Sequence, residues 1–211
     1  MTLAIAQTTP PQVPILTTAQ AKLFLRVGNQ VENSLIDSLV LAALGVVEGF
    51  TGRQLIDAVY TWTLDRWPRT IRPHGGGPWD SGRPRSRSEF VVPYSPLSSV
   101  TSVKYFDVDG NQQTLDSSVY DVVTAEEPGK IRLGLDQTWI ETDGRLAGIE
   151  IIFVAGYGTA TSDVPASAVS AVYLILGDLY WHRSATAEKS LHDNPAVMAL
   201  LNAVGRLEIV G

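Results

Sequence analysis

Apolar residues return at three-and-four spacing through Leu35, Ile36, Leu39, Ala42, Ala43, Val46, Val47 and Phe50. That is the stripe of an amphipathic helix, predicted over about 31–51 and closed by Gly52. A shorter helix precedes it, in which Leu23, Phe24 and Val27 form one apolar face. Thr17 and Gln20 stand at capping-box spacing at its start, and Gly28-Asn29 is expected to end it. Beyond Gly52 the period changes to two. Tyr60, Trp62 and Leu64 alternate with Thr61, Thr63 and Asp65, as in a half-buried strand. Further strands are predicted at 89–94, 100–106, 112–115, 119–123, 130–133 and 149–154. Asp109-Gly110 reads as a tight hairpin turn between two of them.

The chain returns to helices after that. Pro165 begins one that carries Val172, Leu176, Leu179 and Tyr180, and Asn194-Pro195 begins another with Val197, Leu200, Leu201 and Val204. Helices, then strands, then helices predict an α+β fold: a small bundle of N- and C-terminal helices with a mainly antiparallel sheet inserted into it. The divisions expected are a flexible arm at 1–16 and one domain at 17–211. Within the domain, helices occupy 17–52 and 164–204, and the sheet insertion occupies 59–155. Pro10, Pro11 and Pro14 forbid helix in the arm, which is read as disordered or bound to a partner.

Residues 69–90 break the pattern, being rich in Gly, Pro and Arg, and are expected to form a loop between strands. Arg69, Arg72, Arg83, Arg85 and Arg87 against Asp80 and Glu89 leave this segment at +3. The whole chain of 211 residues is at −6, so the remainder stands at −9. Arginines gathered in this way neutralise phosphates, which makes Arg83, Arg85 and Arg87 candidates for a DNA channel or a protein interface. A solvated loop is the alternative. The overall acidic balance is the opposite of that expected for a general nucleic-acid binder.

The remaining composition excludes more than it suggests. There is no cysteine, so disulfides and thiol chemistry are ruled out. The first residues carry no Lys or Arg and are broken by proline, unlike a signal peptide. No stretch reads as a run of about 18 apolar residues, so a cytosolic protein without membrane contact is expected. His74-Gly75-Gly76-Gly77 has the look of an oxyanion-hole loop, but no G-x-S-x-G accompanies it. Asp107 and Asp109 begin like a calcium loop whose later ligands are missing, and a hairpin turn accounts for them. Asp107, Asp109, Glu126 and Glu127 have no spacing that fixes a catalytic pair. His74, His182 and His192 lack metal-ligand spacing. No catalytic residue, metal site or cofactor is expected, and the chain is read as a non-enzyme.

Several segments, taken in order, resemble the head–tail connector (adaptor) family of long-tailed bacteriophages and gene-transfer particles. They are Lys22-Leu-Phe-Leu-Arg-Val27, the following helix to Thr51-Gly52-Arg53-Gln54-Leu55, and Trp62-Thr-Leu-Asp-Arg-Trp-Pro68. Pro96-Leu97, Val100 to Tyr105, Asp109-Gly110 and Tyr120 come next. Phe153-Val-Ala-Gly-Tyr-Gly158 and the helix from Val164-Pro165 to Trp181-His182-Arg183 complete the set. The 69–90 insert, Tyr94-Ser95-Pro96 and Trp181-His182-Arg183 depart from the family's pattern. The resemblance implies a ring, commonly of twelve copies, beneath the portal, linking it to a stopper or tail-completion protein. DNA would pass through without sequence-specific binding. The place implied is the virion neck, reached from the host cytoplasm during assembly. Leu200, Leu201, Val204, Leu207, Ile209 and Val210 form an apolar end and are the candidates for portal contact, with an ordinary core helix as the alternative. Other readings are a neighbouring neck protein, a DNA-binding module acting through the arginine loop, and, last, a hydrolase using His74.

Overall fold

Thr17 opens the first helix as its spacing predicts. Its hydroxyl accepts from the Gln20 amide at 3.3 Å, and the Gln20 side chain accepts from the Thr17 amide at 2.8 Å. The computed structural model describes residues 4–67, 89–182 and 194–205. Among these, the helices are α1 (Thr18–Leu25), α2 (Asn33–Thr51), α3 (Ala166–Trp181) and α4 (Pro195–Val204). Arg26 ends α1 in the left-handed conformation at φ 58°, two residues before the expected Gly28. Its amide and that of Val27 satisfy the last carbonyls of the helix, at Leu23 and Lys22. Gly52 closes α2 at φ 68°, and Asn194 caps α4 by accepting from the Ala196 and Val197 amides.

The strands are β1 (Ala4–Thr9), β2 (Ala58–Leu64), β3 (Glu89–Val91), β4 (Leu97–Phe106), β5 (Gln112–Thr114), β6 (Tyr120–Val123), β7 (Lys130–Leu133) and β8 (Ile149–Ala155). β1 lies in the segment that reads as an arm. Its partner is β2, more than fifty residues away, and no local pattern announces a pairing at that distance. The fold is α+β, with helices on both sides of the strand-forming segment in sequence.

The chain separates into two compact units, one of Pro10–Ala58 with Gly156–Gly211 and one of Met1–Thr9 with Val59–Ala155. In the helical unit α2 packs on α3, α3 on α4, and α1 on both α2 and α3. Ile15, Leu25, Ile36, Val47, Leu55, Ile175, Leu176 and Leu201 are buried together in its core. Glu48 is half-buried beside this core, where its carboxylate accepts from the Leu55 amide and the Gln54 side chain, both at 2.9 Å. Burial raises its pKa, and the Leu55 hydrogen bond partly offsets that.

In the strand unit, a five-stranded sheet has the order β1-β2-β8-β4-β5 and a three-stranded sheet the order β3-β7-β6. β2 and β8 alternate buried and half-buried residues along their whole lengths. The strict two-residue period therefore sets which face each strand turns inward. Tyr60 stacks on Tyr94 and on Phe153, with ring centroids 4.2 and 5.5 Å apart.

The connection from β8 back to the helices is a backbone clasp. The Tyr157 amide donates to the Leu55 carbonyl at 3.2 Å, and the Asp57 amide to the Gly158 carbonyl at 2.9 Å. Gly156 sits at φ 148° and Gly158 at φ 153°, where a side chain is strained. The Gly-Tyr-Gly turn after β8 thus needs glycine at both positions: a Cβ at Gly156 would meet the Asp57 backbone, and one at Gly158 the Asp163 carboxyl.

Candidate functional site

The candidate catalytic carboxylates occupy separate structural roles. Asp107 begins the β4–β5 hairpin, accepting from the amides of Asp109 and Asn111 at 3.1 and 2.8 Å and from the Gln113 side chain at 3.0 Å. The Gln113 bond, then that of the Asn111 amide, holds its pKa below the ordinary value. The Asp109 bond is that of an Asx-type turn, and the Gln113 bond ties the turn to β5. Glu126 is committed to an ion pair with Lys130 at 2.7 Å, which lowers the pKa of the acid and raises that of the base. Among the described residues, no three His, Asp or Glu side chains gather as a metal site. His182 lies at the exposed end of α3, hydrogen-bonded to its own helix at the Asp178 carbonyl. His74 with its glycines, and His192, lie outside the described residues.

The other candidates divide in the same way. Leu201 is packed in the helical core at 2% exposure, and Leu200 and Val204 are half-buried against that core. Leu201 helps to hold α4 on the helical core, while Leu200 and Val204 keep part of their surface exposed. Arg53 ties down the end of α4, donating to the carbonyls of Val204 and Gly205. Leu207, Ile209 and Val210 lie outside the described residues, as do Arg83, Arg85 and Arg87.

The chain on either side of the arginine segment is well anchored. Trp67 stacks on Trp139 at 4.5 Å and donates its indole N–H to the Ile140 carbonyl at 2.8 Å. On the far side, Glu89 pairs with Arg132 in the β3–β7 ladder.

One exposed helix face is apolar and nearly uncharged. α2 buries Ile36, Val40, Ala43 and Val47, whereas Leu35, Ala42 and Val46, placed by spacing on the inward stripe, are exposed. Leu41 joins them at 65% exposure, and Ser34, Ser38, Gly45 and Gly49 fill the rest of this outer face. Asp37 is its only charge. α2 is apolar on nearly every side, so spacing alone selects the wrong rotation for part of it. For the same reason it is long and apolar enough to cross a membrane, against the expectation that no stretch would qualify; its inner face is part of the helical core. Leu23 on α1 and Val31 before α2 are more than four-fifths exposed. In the strand unit, the outer edge of the larger sheet is covered by β1, whose side chains are exposed except for a half-buried Ile5.

No family model matches the chain, and no curated protein matches it. Its fold is similar to chains in solved structures of gene transfer agent (GTA) particles. For the neck of an empty particle computed with C6 symmetry, the TM-score is 0.74 at 23% identity, covering 99% of this chain and 98% of that one. For the virion of a native particle, the values are 0.71 and 23%, covering 98% and 97%. For the neck of a native particle computed with C12 symmetry, they are 0.70 and 23%, covering 99% and 98%. The likeness runs through both units, and it is one of fold.

Proposed function

We propose that this chain is a structural, non-enzymatic subunit of the neck of a phage-like particle: an adaptor that forms a ring beneath the portal and carries the stopper or tail on its other side. The observation that carries this reading is the likeness in fold to gene-transfer-agent neck chains over essentially the whole length. A neck computed with twelve-fold symmetry is also the setting that the sequence resemblance implies.

The physical character of the chain fits such a role. A closed ring needs two different patches per subunit that meet by rotation. The nearly uncharged outer face of α2 and the β1 edge are two such surfaces. A body at −9 outside the arginine segment repels phosphate, so a duplex in the channel slides past the wall without being held. Arg83, Arg85 and Arg87 are proposed to face that channel or a neighbouring subunit. Leu201 is already used in the core, so portal contact is assigned to the segment after Gly205, with Leu207, Ile209 and Val210 as its apolar residues.

Deleting residues 206–211 tests the assignment. The truncated protein is expected to melt within about 2 °C of the full chain, since it loses no described core residue, and to lose co-purification with the portal of the same particle. Undiminished portal binding by the truncated chain would overturn the assigned contact. The neighbouring-protein reading, a stopper or tail-completion subunit, predicts instead binding to an already assembled adaptor ring and none to the portal alone.

A further inference from the structure

We infer that β1 is an exchange strand: in the assembled ring, Ala4–Thr9 of one subunit pairs with β2 of its neighbour. This rests on the ring reading above and adds the means by which adjacent subunits are joined.

Three observations lead to it. The first is how β1 is held. It runs antiparallel to β2 with Ala4 opposite Thr63, Ile5 opposite Trp62, Ala6 opposite Thr61 and Gln7 opposite Tyr60. Its side chains are exposed except for Ile5, so it contributes little apolar burial. The side-chain hydrogen bonds across the pair go to backbone carbonyls, from Thr8 Oγ1 to Val59 at 3.2 Å and from Thr63 Oγ1 to Ala4 at 3.1 Å. Every one of these interactions is available, unchanged, from the β1 of another copy.

The second is the tether that joins β1 to the helices. The ladder shifts register between Gln7 and Thr9. The compact units then change over between Thr9 and Pro10. Residues 10–14 contain three prolines and bend at 12 and 13; drawn out, five residues reach at most about 17 Å. Ile15 and Leu16 are buried in the helical core. β1 is therefore joined to the helical unit by a short stretch without helix or strand, and to the sheet by the backbone ladder and two threonine hydroxyls.

The third is the edge it covers. Without β1, β2 presents unpaired backbone groups at the rim of the five-stranded sheet. Adding a strand to such an edge is an ordinary mode of association. In solution the tether favours β1 of the same chain. In a ring the neighbour is held at high effective concentration, and exchange costs no hydrogen bonds. Exchange all the way around a closed ring leaves no β2 rim uncovered.

The absence of native cysteine makes the test direct. Ala6→Cys with Thr61→Cys places two thiols opposite each other across the β1–β2 pair, and Ala4→Cys with Thr63→Cys is a second such pair should the first misfold. The double variant is mixed with its portal, its mass is measured by light scattering, and it is then oxidised and run on a denaturing gel without reductant. Exchange predicts a ladder of covalent multimers from the assembled ring, collapsed by reductant, and internally linked monomers from the dilute free protein. Assembly with only monomer bands would overturn exchange and leave the ring reading intact. Failure to assemble, visible in the mass before oxidation, would overturn both.

Discussion

Replacing Gly156 with alanine is expected to cost about 3 kcal/mol or more and to lower the melting temperature by about 6–12 °C. The reason is local and backbone-made. At φ 148° an added Cβ would lie 2.5 Å from the Asp57 amide nitrogen and 2.6 Å from its Cα. Those atoms have no rotamer to move into, and the Asp57 amide is held by the Gly158 carbonyl. Relief requires opening the clasp between the end of β8 and the chain before β2. Gly45→Ala on the exposed face of α2 is the control, since its Cβ would meet nothing within 4 Å. It is expected to leave the melting temperature unchanged or raise it slightly, by removing a helix-interior glycine. Thermal melts followed by circular dichroism compare the two. A loss under about 2 °C for Gly156→Ala would show that the clasp yields.

Phe153→Ala is expected to cost about 3–5 kcal/mol. Phe153 is fully buried on β8, which lies between β2 and β4 in the larger sheet. Its ring stacks on Tyr60, which in turn stacks on Tyr94. Truncation removes the ring, leaves a cavity in the middle of the sheet, and strips one face of Tyr60 of its contact. Phe153→Leu, which keeps more of the volume, is expected to cost distinctly less. Urea unfolding followed by tyrosine and tryptophan fluorescence measures both. Equal costs for the two variants would mean that the site collapses around the missing ring.

Both predictions fall within one stretch, Phe153 to Gly158, that also carries part of the family resemblance in the sequence. The reasons for those residues become visible only in three dimensions. Features written locally are legible in the sequence. The Thr17–Gln20 box, the Asn194 cap, the Asp109-Gly110 hairpin and the alternation along β2 and β8 each depend on neighbours a few residues away. What escapes depends on distant partners. β1 has a short, mixed pattern and pairs with a strand more than fifty residues on, so it passes for an arm. α2 is apolar nearly all round, and only packing against α1, α3 and α4 decides that Val40 turns inward and Val46 does not. α4 turns Val197 and Leu201 into the core, a division of its apolar residues that the sequence does not announce. No chemical motif draws attention to the outer face of α2, because its distinguishing property is the lack of charge across Ser38, Leu41, Ala42, Gly45 and Gly49.

On the proposed reading, this chain assembles around an axis against a portal. The most direct measurement is the mass of the purified protein by light scattering, alone and after mixing with the portal of its own particle. A closed ring, or a monomer that joins the portal in fixed stoichiometry, is the expected result. A monomer that stays a monomer in the presence of the portal would contradict it.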